Sequence, residues 1–195
     1  MNKAYKYRIY PDSEQEILIN KTFGCVRFVY NKMLANRKEV YERFKDDKET
    51  LKQQKYLLPA DFKKEFEWLK EVDCYALCNA QLNLQRAYKS FFKSKSVGFP
   101  KFKSKKRGKH SYTTNNQGNN IRIEGKRIRL PKVGLVSIKQ HRQIPDGCKI
   151  KSCTITKTPS NKYYISILTE YEREQPNPIL DKSKALGLDY SSPHF

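Results

Sequence analysis

Near the amino terminus Tyr5, Tyr7 and Ile9 alternate with Lys6, Arg8 and Tyr10, the two-residue period of a strand with one buried face, and Pro11 ends it. The period then lengthens. Ser13 and Glu16 have the spacing of a capping box, and Ile17, Phe23, Val26, Val29, Tyr30, Met33 and Leu34 follow at helical intervals, which predicts a long amphipathic helix. A charged stretch, FKDDKETLKQQKY, separates it from a second helix expected around 61–69. Asp73 is placed to cap a third helix running to about Phe92. Ala76, Leu77, Ala80, Leu84, Tyr88 and Phe91 form its apolar stripe, and Arg86, Lys89 and Lys93 lie off it.

Beyond Ser111 the two-residue period returns. NIRIEGKRIRL reads as a hairpin about Gly125, GLVSIKQ as a strand after Pro131, and CKIKSCTITKT as a strand paired across 159–162 with YYISILTEY. These strands make a small antiparallel sheet or barrel, so the expected fold class is α+β. Arg122, Arg127, Arg129, Lys139 and Lys151 alternate with its apolar positions, leaving a face that is either solvated or turned to a polyanion. The segment EREQPNPILDKS reads as a linker. After it comes KALGLDYSSPHF, an apolar strand that delivers Asp189. On spacing alone Asp189 is either a catalytic-type carboxylate or the residue that opens a turn before Ser191, Ser192 and Pro193.

Charge narrows the partner. The 195 residues carry 40 Lys and Arg against 20 Asp and Glu, a net charge of +20, which points to a polyanion. The excess is local: between Cys74 and Ile123 there is no acidic residue. Arg86, Lys89, Lys93, Lys95, Lys101, Lys103, Lys105, Lys106, Arg107, Lys109 and Arg122 all fall there. Gly98, Pro100 and Gly108 keep the densest part from forming the continuous amphipathic helix that a membrane surface would need. No stretch is apolar for long enough to span a bilayer, and the N-terminus lacks a signal-peptide core, so the expected location is the cytoplasm, at the nucleoid. Phe99 and Phe102 interleave with the basic residues and are candidates for stacking on exposed bases.

Five cysteines, Cys25, Cys74, Cys78, Cys148 and Cys153, make an odd set without a disulfide framework. Cys74 with Cys78 and Cys148 with Cys153 lack the two-residue gap of a zinc knuckle, which favours small packing residues over zinc ligands.

Six blocks in order carry a family resemblance: YKYRIYPDSEQEILINKTFGCVRFVYNKML, WLKEVDCYALCNAQLNLQRAYKSFFK, VGFPKFKSKK, NNIRI, IRLPKVG and LGLDYS. Together they make the chain resemble the amino-terminal half of TnpB, the transposon-encoded RNA-guided nuclease family. The resemblance implies a wedge-type, OB-like β-barrel over 1–10 and 94–172, with a helical recognition or helix-turn-helix domain inserted at 11–93. The connection between its helices is, however, longer than the short turn of a helix-turn-helix. It also implies a linker at 173–183 and, at 184–195, the first strand of a truncated RNase H-like (RuvC) domain.

In such proteins guide RNA supplies sequence specificity while the protein reads a short DNA motif beside the target. The resemblance therefore names DNA and a guide RNA from the transposon end as partners, with no membrane and no small-molecule substrate. It makes Asp189 the first magnesium ligand, turns Cys74 and Cys78 toward the adjacent DNA motif, and places Gln117 and Asn119 in the matching loop. The short thiols cannot make the bidentate base contacts of longer polar groups. RuvC chemistry uses several carboxylates around two magnesium ions about 4 Å apart. The remaining carboxylates and the zinc-binding insertion of the family have no counterpart in the sequence, so neither stable magnesium nor zinc, nor cleavage by this chain alone, is expected. Other readings are a stand-alone DNA-binding regulator of transposon ends and a ribosome-associated RNA-binding protein.

Overall fold

The computed structural model describes residues 1–94, 96–106 and 109–172. Strand β1 (Asn2–Tyr10) buries Tyr5, Tyr7 and Ile9 as the alternation requires. Helix α1 (Ser13–Phe44) follows at once. Its cap is Asp12, one position before the expected Ser13: the Asp12 carboxylate accepts from the Gln15 amide at 2.9 Å, and the Gln15 side-chain oxygen accepts from the Asp12 amide at 3.2 Å. Tertiary structure favours this register, because the Gln15 side-chain nitrogen also donates to the Leu135 carbonyl at 2.9 Å, pinning the helix start to the sheet. Ile19, Phe23, Val26, Val29, Tyr30, Met33 and Leu34 form the buried stripe, whereas Ile17, expected on it, is 69% exposed.

The charged stretch contains a short helix that its polarity hid, α2 (Lys48–Gln53), held by Asp47 accepting from the Glu49 and Thr50 amides at 3.1 and 3.0 Å. The second expected helix is split into α3 (Pro59–Glu65) and a 3-10 turn (Glu67–Lys70), the turn burying Leu69. Helix α4 (Cys74–Lys93) starts where expected. Its cap, Asp73, is 5% exposed and does two jobs, accepting from the Tyr75 amide at 3.1 Å and from the Thr114 hydroxyl. That second bond joins the start of α4 to the edge of the sheet.

The sheet comprises seven antiparallel strands, β2 (His110–Asn115), β3 (Arg122–Glu124), β4 (Arg127–Leu130), β5 (Gly134–Lys139), β6 (Lys149–Lys157) and β7 (Tyr163–Glu170) joining β1. Their order is β2-β6-β7-β1-β5-β4-β3. The β3–β4 hairpin turns at Gly125, whose φ of 59° suits glycine. The β6–β7 hairpin matches the expected pairing, with a register shift between Ile150 and Ser152 that bends β6. Strand β2 begins at the end of the basic stretch, ahead of the first strand expected from the sequence. Its signal is the alternation of buried Tyr112 and Thr114 with half-exposed Ser111 and Thr113.

The expected barrel is realised as a curled half-barrel, since the end strands β2 and β3 do not pair with each other among the described residues. Helices α1 and α4 pack together and cover the β2 end, so helix and sheet side chains form one core.

Burial in that core holds protons on its acidic groups. It pushes the Cys25 thiol up to about 11, raises the Cys153 thiol further and lifts Tyr112 well above the ordinary phenol value. All three stay neutral in the folded chain while their unfolded counterparts ionise from about pH 9 upward. Their stabilisation is therefore complete below that pH and lost above it, each group removing about 1.4 kcal/mol per pH unit. Urea midpoints should be flat up to about pH 8.5 and fall steeply beyond it. A flat midpoint through pH 10 would contradict this packing.

Candidate nucleic-acid interface

The buried stripe of α1 leaves Arg27, Asn31, Lys32 and Lys38 on the other side of the helix, half-buried or exposed. The segment 96–106 returns along this face. Asn31 clamps its backbone twice, donating to the Lys103 carbonyl at 3.0 Å and accepting from the Lys103 amide at 2.8 Å. Side chains extend the contact: the Lys103 ammonium lies 4.1 Å from the centre of the Tyr30 ring, and Lys38 lies 5.0 Å from Phe102 and 5.3 Å from Phe99. Partial burial lowers the pKa of Lys103. Phe99 also meets Tyr88 and Phe91 edge-on at 5.5 and 5.4 Å, which makes it a packing residue of the α4 end. Phe102, 52% exposed, is the freer ring.

Two cavities open along this face. One, of about 690 Å³, is lined by Lys21, Arg27, Phe28, Lys32, Trp68 and Phe102 among others, and the second, of about 540 Å³, by Arg27, Lys101, Phe102, Lys103, Lys109 and His110 among others. They share Arg27 and Phe102 and so form one groove. Its floor is aromatic: Phe28 packs against Phe66 and Trp68, both at 4.9 Å, and Lys32 lies over Phe66 at 5.1 Å. Among the described residues no carboxylate lines either cavity, although Lys21 at the rim is paired with Glu71. Chemically this is a cationic trough over a floor of edge-packed aromatic rings, which suits phosphates and ring systems together.

The belt expected from the sequence is thus partly gathered. Lys101, Lys103, Lys109 and Phe102 line the groove. Lys105 and Lys106 sit in the exposed turn beside it, while Arg86, Lys89 and Lys93 are exposed along α4. Arg107 and Lys95 lie outside the described residues, as does Asp189. Arg122 is already engaged, its Nε 2.7 Å from Glu124 and its guanidinium donating to the Asn119 carbonyl at 3.2 Å.

Cys74 and Cys78 are exposed one helical turn apart at the start of α4, and burial by neighbours raises the Cys78 pKa. Gln117 and Asn119 are exposed in the β2–β3 loop, where Asn119 adopts a left-handed φ of 59°. Asn79 of α4 bonds Asn115 at the end of β2 at 3.4 Å, so helix start and loop adjoin. Arg27, Lys32, Phe28 and Trp68 were not legible as site residues. Their only sequence signal was basic residues on the side of α1 opposite its apolar stripe. Among the described residues no three of His, Cys, Asp or Glu come together to hold a metal ion, and no helix is long and apolar enough to cross a membrane.

Residues 1–46 match a family model described as a helix-turn-helix domain, that of the OrfB proteins of IS605-type elements. In the structure this span is β1 followed by one unbroken helix, α1, rather than two helices about a turn. Two relatives carry the name "Putative RNA-guided DNA endonuclease". One, InsQ of Escherichia coli (strain K12), is 33% identical over 187 residues, 96% of this chain and 44% of its own length. The other, from Streptomyces pristinaespiralis, is 28% identical over 191 residues, 97% of this chain and 46% of its own. The Virulence protein VsdF of Salmonella dublin is 39% identical over 113 residues, 54% of this chain and 95% of that protein. The chain thus spans about half the length of the first two.

Proposed function

Because the chain belongs to the TnpB/OrfB family of transposon-encoded proteins, we propose that it binds nucleic acid through the groove between α1 and residues 101–104 and 109–111, holding guide RNA and target DNA. The observation that carries this reading is the groove itself: cations from two distant segments converge over an aromatic floor with no carboxylate among the described residues of its lining. Phosphate contacts there supply affinity and a steep salt dependence without selecting sequence.

Selection of the DNA beside the target falls to the start of α4 and the β2–β3 loop. Cys74, Cys78, Gln117 and Asn119 are exposed there on adjoining elements. The half-barrel serves as the wedge that carries both surfaces. Asp189 keeps the role of a magnesium ligand that the resemblance gives it, outside the described residues. The activity proposed for the described residues is nucleic-acid binding.

Titration with a structured RNA from a transposon end, followed by duplex DNA matched or unmatched to its guide segment, tests the reading. Tight RNA binding, with matched DNA joining only after the RNA, is the expected result. DNA bound equally well without RNA would overturn it and favour a stand-alone DNA-binding regulator.

A further inference from the structure

The groove holds more than phosphate-binding charge, and its second feature is the arrangement of its rings. Trp68 is the only tryptophan of the chain and is 36% exposed although it packs against Phe28 and Phe66. Phe102 stands in the same cavity from the returning loop, 52% exposed, with its backbone neighbour Lys103 fixed by the Asn31 clamp. The floor and one wall are therefore aromatic and held by the fold, while Arg27 and Lys32 flank the cavity. A double helix presents phosphates to such a trough but keeps its ring faces stacked inside. The volume, about 690 Å³, is that of a small-molecule site and not of a duplex groove.

We propose that this cavity takes a single unpaired base of RNA, extruded from a loop, bulge or end, against Trp68 and Phe102. Its flanking phosphates lie on Arg27 and Lys32. The proposal rests on the nucleic-acid reading above and deepens it. RNA is the class the surroundings favour. Folded RNA hides its base edges in a deep, narrow groove and is read at unstacked bases, which aromatic side chains accept. The adjoining cavity adds the polar groups of Ser111 and His110 beside Lys109, a lining suited to a ribose hydroxyl.

Trp68 supplies its own reporter. With the full chain at fixed salt, an oligouridylate is expected to quench Trp68 fluorescence on binding. An abasic ribose-phosphate oligomer of equal length should bind more weakly and leave the emission unchanged. Phe102→Ala, in an exposed loop position, should weaken oligouridylate binding about tenfold, the scale of one stacked base, and leave abasic binding as it was. Equal affinity for the two oligomers with no change in emission would overturn the base pocket while leaving phosphate binding standing. An oligodeoxyuridylate that binds and quenches as well as the RNA would overturn the RNA assignment. Failure of every oligomer to bind would remove both this proposal and the reading beneath it.

Discussion

Alanine at Arg27, Lys32, Lys101 and Lys109 together is expected to lower affinity for single-stranded RNA on the order of a hundredfold at low salt, and to flatten its salt dependence. The four come from two segments far apart in sequence yet line one groove. Each phosphate neutralised on a single strand contributes about 0.7 to the slope of log affinity against log salt, so losing four contacts should reduce that slope by about 3.

None of the four takes part in an ion pair in the described structure. Stability should consequently change by about 0.5 kcal/mol or less for each substitution, with about 0.5–1 kcal/mol more at Lys32, which loses its place over Phe66. A control with Lys3, Lys139, Lys149 and Lys162 replaced instead removes the same charge from exposed positions outside the groove. If the control flattened the slope as much as the groove variant, diffuse net charge rather than this site would be the source of affinity.

Asp73→Ala should cost about 2–4 kcal/mol, the sum of a lost helix cap and buried partners left without a bond. Two groups depend on this one carboxylate. The Tyr75 amide opens α4, and the Thr114 hydroxyl reaches it from β2, where both Asp73 and Thr114 are buried. Asp73→Asn keeps the cap acceptor and should cost less. Thr114→Val removes one partner only, so a double-mutant cycle between positions 73 and 114 should show coupling of about 1 kcal/mol or more. Urea denaturation of the four proteins measures it. Additive losses would mean that cap and sheet contact act independently.

Much of the architecture could be read from periodicity. Strand β1, the two hairpins, β5, and helices α1 and α4 were all legible because their buried positions recur at the period of the element. What was lost follows from physics that a local pattern does not contain. The α1 cap settled on Asp12 because Gln15 reaches Leu135, a residue 120 positions away. Helix α2 buries no residue and rests on the Asp47 cap, so it has no apolar stripe to announce it. Strand β2 uses Thr and Tyr, with a basic loop directly before it, and its pairing with β6 is what gives it an identity.

The site divides in the same way. Its charge was visible as an acid-free run from Cys74 to Ile123, and Phe102 was picked out within it. The α1 half was not visible. Arg27 and Lys32 look like the solvated side of any amphipathic helix until Asn31 draws the 103 segment across them.

The claim that nucleic acid lies along α1 and residues 101–106 and 109–110 is tested most directly by lysine acylation footprinting of the full chain, free and saturated with structured RNA, read by mass spectrometry. Protection is expected at Lys32, Lys101, Lys105, Lys106 and Lys109, with Lys3, Lys139 and Lys149 on the sheet as reactive as in the free protein. Protection confined to the sheet lysines, with the groove lysines unchanged, would contradict it.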